Sequence, residues 1–173
     1  MNKQQLVREK TALHRPEVLC LVALFTILGS TATMASELTV EFSLPKIDTA
    51  DYNKPYVAIW LESSGTKESL LLWHLEGRKN DKWLPDIRRW WRKLGRYGET
   101  MDAVTGATRG PGEYRETFSI NAAEPFTLFL EVVREDGGRS LLKQPIDFSG
   151  AQRVVELPAD REIGVTTITL GED

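Results

Sequence analysis

Glu37–Pro45 reads "ELTVEFSLP". Leu38, Val40, Phe42 and Leu44 alternate with Thr39, Glu41 and Ser43. A period of two puts the apolar set on one face of an extended chain, so this is a half-buried strand. Similar segments recur outward from it. "YVAIWLESS" (56–64) and "ESLLLWHLEG" (68–77) read as two more strands, with "SSGTK" as a hairpin turn between them. Further along come "EYRETFSIN" (113–121) and "EPFTLFLEVVRED" (124–136), then "DGG" (136–138) turning into "RSLLKQPIDFS" (139–149). "QRVVELP" (152–158) and "GVTTITLG" (164–171) complete the set. About eight short strands separated by turn signals predict an all-β, immunoglobulin-like β-sandwich.

One stretch breaks the pattern. "LPDIRRWWRKLG" (84–95) has Pro85 near its start, Asp86 in its predicted first turn and Gly95 just past its end. These are helix start and stop signals, so one short helix is expected between strands. Ile87, Trp91 and Leu94 are assigned to its apolar face with Trp90 beside it, and Trp90 or Trp91 is expected to pack on the sandwich.

The first 35 of the 173 residues read separately. Lys3, Arg8, Lys10 and Arg15 precede an apolar run from Val18 to Leu28, and small residues lead to Ala35. That order predicts a signal peptide cleaved after Ala35, export to the periplasm, and a single domain over residues 36–173. The apolar run is shorter than the ~20 residues of a comfortable membrane span. Residues 36–173 hold 18 Lys and Arg against 23 Asp and Glu, a net charge of −5, which gives no support to nucleic-acid binding. They hold no cysteine, which removes disulfides and thiol chemistry.

Catalytic signatures are sparse. His74 is the one histidine after the leader, so a His/Cys metal cage is out of reach. There is no G-x-S-x-G elbow, P-loop or G-x-G-x-x-G. No catalytic residue is assigned, and a non-catalytic role is favoured over an enzymatic one. Charge is concentrated instead: Arg78–Arg96 carries eight Lys and Arg against Asp81 and Asp86, a local +6. Trp83, Trp90 and Trp91 lie within it. Such a patch suits a phosphate, a pyrophosphate or an acidic protein surface.

Directly after it comes "DAVTGATRGPG", Asp102–Gly112. Its first seven residues fit Asp, two variable positions, Ser/Thr, Gly, Ala, Ser/Thr. This resembles the flavinylation motif of proteins modified by FAD:protein FMN transferase, in which the last hydroxyl residue carries FMN through a phosphoester. Chance supplies the five fixed positions in a chain this long on the order of once in a thousand times. The resemblance implies covalent FMN on Thr108. It also implies a transferase partner supplying the base and metal that a threonine nucleophile needs. Asp102 is read as a turn cap or an aid to the transferase complex, and Thr105 as bonding the loop backbone. Gly106 and Ala107 allow close approach of another active site, and Arg109 is placed to meet the phosphate. Gly110, Pro111 and Gly112 predict a surface loop with Thr108 exposed or on a rim.

The strand order, "KWLPDIRRWW" (82–91) and "DAVTGATRGPGEY" (102–114) are similar to the predicted periplasmic proteins of domain-of-unknown-function family 2271. That family is associated with flavin-transfer and membrane redox systems. The resemblance implies a periplasmic flavin carrier exchanging electrons with a membrane-bound redox partner. The alternative is a non-enzymatic β-sandwich binding module docking through the cationic Trp/Arg helix.

Overall fold

The computed structural model describes residues 35–75, 81–97, 105–121, 124–147, 149 and 153–171. Nine strands fall into two sheets. β1 (Ala35–Leu44), β5 (Gly112–Asn121), β8 (Val154–Leu157) and β9 (Thr166–Leu170) form one, in the order β5-β1-β9-β8. β2 (Tyr56–Ser63), β3 (Thr66–His74), β4 (Thr105–Ala107), β6 (Phe126–Val133) and β7 (Arg139–Ile146) form the other, in the order β4-β3-β2-β6-β7. The eight strands expected from alternation are all present. The ninth, β4, lies inside the segment expected to be a loop.

β1 organises its sheet. It pairs with β5 along its whole length and with β9 on the other side. Leu38, Val40, Phe42 and Leu44 are buried against the second sheet, in a core shared with Val57, Ile59, Trp73, Leu128, Leu130 and Ile168. Thr39 faces the other way, its hydroxyl 3.0 Å from that of Thr117 on β5. The β2–β3 hairpin turns through Ser64 and Gly65, both at positive φ (39° and 87°), as a tight two-residue turn requires.

β2 does not alternate. Tyr56–Leu61 is buried without a break, because both faces of this strand are covered. Val57, Ile59 and Leu61 face the other sheet. Tyr56, Ala58 and Trp60 face outward, beneath the inserted helix, with Leu72 and Phe129. Trp60 and Phe129 are register partners with rings stacked at 4.8 Å.

The insert is shorter and more wound than expected. A 3-10 turn (Asp81–Asp86) leads into α1 (Arg88–Lys93), and a second 3-10 turn (Gly95–Tyr97) follows. Asp86 therefore belongs to the preceding turn and not to the helix. The face pressed on the sheet is Ile87, Trp90 and Leu94, with Trp91 only half-buried. Trp90, assigned beside that face, is its centre. A six-residue helix is not stable alone; this one is anchored from outside. The Trp90 indole N–H donates to Ser69 Oγ at 3.2 Å. Gly95 sits where both rings cross, and a Cβ there would lie 2.5 Å from Trp91 and 2.6 Å from Trp90. Only glycine leaves room for the pair.

The first turn of α1 is held by Glu131 of β6, which is fully buried. Its carboxylate accepts the backbone N–H groups of Arg89 (3.1 Å) and Trp90 (2.8 Å) and pairs with Arg139 at 2.7 Å. A charge thus lies inside the apolar run "LFLEVV", where it satisfies helix donors that no local side chain caps. Glu131→Gln keeps the shape and removes the charge. It is expected to cost about 2 kcal/mol in urea unfolding, and no measurable loss would show that the cap contributes nothing.

Candidate functional site

β4 is the edge strand of its sheet and runs parallel to β3, with Thr105 opposite Leu72, Gly106 opposite Trp73 and Ala107 opposite His74. The Thr108 N–H continues the ladder by donating to the His74 carbonyl at 3.2 Å. Gly106 lies on Trp73, where a Cβ would meet the indole at 3.4 Å. Thr105 and Ala107 are exposed.

Thr108 differs from expectation. It is 8% exposed, where a surface loop with an accessible hydroxyl was predicted. The physical reason is the open edge of β3. Its backbone groups need partners, and a run of small residues can lie flat enough to supply them. Arg109 then folds back, with its guanidinium 4.3 Å from the Trp73 ring centre, 5.7 Å from that of Tyr114, and 3.4 Å from Glu116. The Tyr114 hydroxyl donates to the Gly110 carbonyl at 2.6 Å. Trp73, Tyr114 and Phe42 form a packed aromatic cluster, with Trp73 and Tyr114 edge to face at 4.9 Å.

Of the sequence-assigned residues, Thr105, Gly106, Ala107, Thr108 and Arg109 are thus brought together at one sheet edge. Thr105 takes its place in the strand ladder. Arg109 is engaged by two rings and a carboxylate. Asp102 lies outside the described residues, as do Arg78 and Lys79 of the basic segment and all of the leader before Ala35.

His74, beside Thr108, is half-buried, and its Nδ1 has no hydrogen-bond partner; the same holds for the hydroxyl of buried Tyr56. Burial, then the Glu135 and Asp86 carboxylates, push the Tyr56 phenol above its ordinary range. Among the described residues no group of His, Cys, Asp and Glu is arranged to hold a metal ion.

The basic insert presents Lys82, Arg88, Arg92 and Arg96 to solvent. Trp83 and Trp91 are partly accessible and Trp90 is not. Lys82 lies 4.7 Å over the Trp83 ring, and Lys93 pairs with Glu62 at 3.4 Å. Beside the insert is a cleft of about 540 Å³ whose lining includes Trp83, Asp86, Arg88, Arg134, Arg139 and Arg161. Arg134 is buried and locked on Glu162 by two hydrogen bonds of 3.0 and 3.1 Å. Neither Arg134 nor Glu162 was singled out from sequence. Their pairing spans 28 residues and leaves no local signal, whereas Glu131 announces itself as a charge within an apolar strand.

Fold and site define an all-β two-sheet sandwich with a short basic helix on one outer face and a hydroxyl-bearing edge strand. The family model described as "Predicted periplasmic protein (DUF2271)" matches residues 37–165. The chain belongs to this family, and it is a periplasmic protein. No curated protein sequence matches it. Among solved structures, human GIVD cytosolic phospholipase A2 in complex with methyl gamma-linolenyl fluorophosphonate inhibitor and terbium chloride is 16% identical, with a TM-score of 0.38. The match covers 82% of this chain and 18% of that one. Human GIVD cytosolic phospholipase A2 without those additions gives 15% identity and a TM-score of 0.37, over 82% and 17% of the two chains. The chain therefore spans less than a fifth of the length of these structures, and a likeness this weak carries no argument about function.

Proposed function

We propose that this periplasmic protein is a flavin carrier, with FMN attached to Thr108 by an FAD:protein FMN transferase. It passes electrons between a membrane-bound redox partner and another exported acceptor. The observation that supports this reading most is the placement of the motif. Thr105–Thr108 lies at a sheet edge where, among the described strands, only β3 pairs with it. Such an edge is a place that a second protein reaches. Arg109 follows Thr108 directly, and a guanidinium suits the phosphoester oxygens. The flavin supplies the redox chemistry when attached; the chain supplies attachment, orientation and charge. The test is coexpression with a transferase and FAD, followed by denaturing electrophoresis under ultraviolet light. A fluorescent band is expected, and its absence with every cognate transferase sinks the reading.

The exposed arginines of the insert favour a second role, docking of an acidic partner. This role is compatible with the first and stands alone if the first fails. Reversing Arg88, Arg89 and Arg92 together is expected to slow flavin transfer or partner binding about tenfold at low salt. Moderate salt should shrink the difference, because exposed charges are screened over ~10 Å. Equal rates at both salt concentrations contradict it.

A further inference from the structure

Thr108 is shut in. Its hydroxyl belongs to a residue 8% exposed, its N–H is bonded to β3, and the following turn is fastened down. An oxygen so enclosed cannot line up with a phosphorus atom in another protein's active site. The geometry points to a latched edge strand: Arg109 and Tyr114 hold the motif closed, and the transferase acts only on the open form. This inference rests on the flavin reading above and names how that site is regulated.

β4 is suited to opening. It makes three register pairs, all with β3, whereas β1 and β5 share ten. Short, singly paired edges lie at the low-stability end of a structure. Two contacts offset that weakness. One is the Tyr114–Gly110 hydrogen bond; the other is Arg109 seated over Trp73 and Tyr114 and against Glu116. The platform beneath does not have to move. Trp73 is part of the core between the sheets, and Tyr114 packs on Phe42.

In the open form the Thr108 oxygen attacks the FMN phosphorus of FAD. The new Thr108 O–P bond forms as the pyrophosphate P–O bond breaks; AMP leaves, and the hydroxyl proton goes to a base on the transferase. The flavin is neither oxidised nor reduced in this step. Closing again would bury a charged phosphoester where a neutral hydroxyl had been, which is strongly disfavoured. The loaded protein therefore stays open and displays its flavin.

Two variants test this in the full chain. Tyr114→Phe keeps the ring contacts and removes the hydrogen bond. Amide exchange at Thr108 and the rate of FMN transfer at low transferase concentration are expected to rise together, by about three- to tenfold. The opposite variant is a lock. His74→Cys with Ala107→Cys, in a Cys20→Ser background, joins register partners on β3 and β4. Oxidised, it is expected to take FMN at least ~10-fold more slowly than after reduction. If the oxidised and reduced forms are labelled equally fast, or Tyr114→Phe speeds exchange but not transfer, the gate is wrong while the flavin reading stands. If no form is labelled, the unmutated chain included, the flavin reading fails and the inference falls with it.

Discussion

Thr108→Ala is expected to abolish covalent flavin altogether, not to reduce it by a factor. The substitution removes the one oxygen that forms the phosphoester, and no neighbour stands in for it. Thr105 is the nearest hydroxyl in sequence, but it occupies a ladder position opposite Leu72. Thr105→Ala should keep label, and Thr108→Ser should keep some, since it retains a hydroxyl. Peptide mass mapping after coexpression with transferase and FAD reads all three. Burial alters the stability side of this prediction. A surface threonine would be nearly free to change; at 8% exposure the alanine variant is expected to lose about 1 kcal/mol. Its Tm is then lower by a few degrees, and the fold is retained. Covalent FMN on Thr108→Ala protein contradicts the site.

The largest expected loss of stability comes from Trp90→Ala. Trp90 is fully buried, fills the space between α1 and the outer face of β2, β3 and β6, and packs with Ile87 and Leu94. Truncating a buried tryptophan costs about 3–5 kcal/mol, against a typical total of about 5–15 kcal/mol for a domain. Tm is expected to fall by roughly 10–15 °C. The core between the sheets does not include Trp90, so far-ultraviolet circular dichroism should still report strands below the transition. A loss under about 1 kcal/mol would show that the helix is not held through this residue.

What was legible in the sequence follows from what leaves a local trace. Alternating residues such as Leu38, Val40, Phe42 and Leu44 fix strand and face together, and the eight strands read this way are present. The unbroken run Tyr56–Leu61 marked a strand but not the reason for its double burial, which depends on a helix that follows β3. That helix was legible as an insertion. Its buried face was not, because assigning Trp91 assumed a regular helix through Pro85 and Asp86, and two 3-10 turns flank only six α-helical residues. β4 was hidden for another reason. Thr-Gly-Ala has neither alternation nor bulk, and its strand character comes from the open edge of β3. The same pairing buries Thr108. Long-range charge pairs such as Arg134–Glu162 have no sequence signature, since each partner is placed by a different strand connection.

The central claim is tested most directly by the intact mass of this protein purified from its native periplasm, followed by mapping of the peptide that contains Thr108. The account predicts one FMN per chain, attached with loss of water and located on Thr108. A protein whose mass is that of the unmodified polypeptide, from cells that make an active transferase, would contradict it.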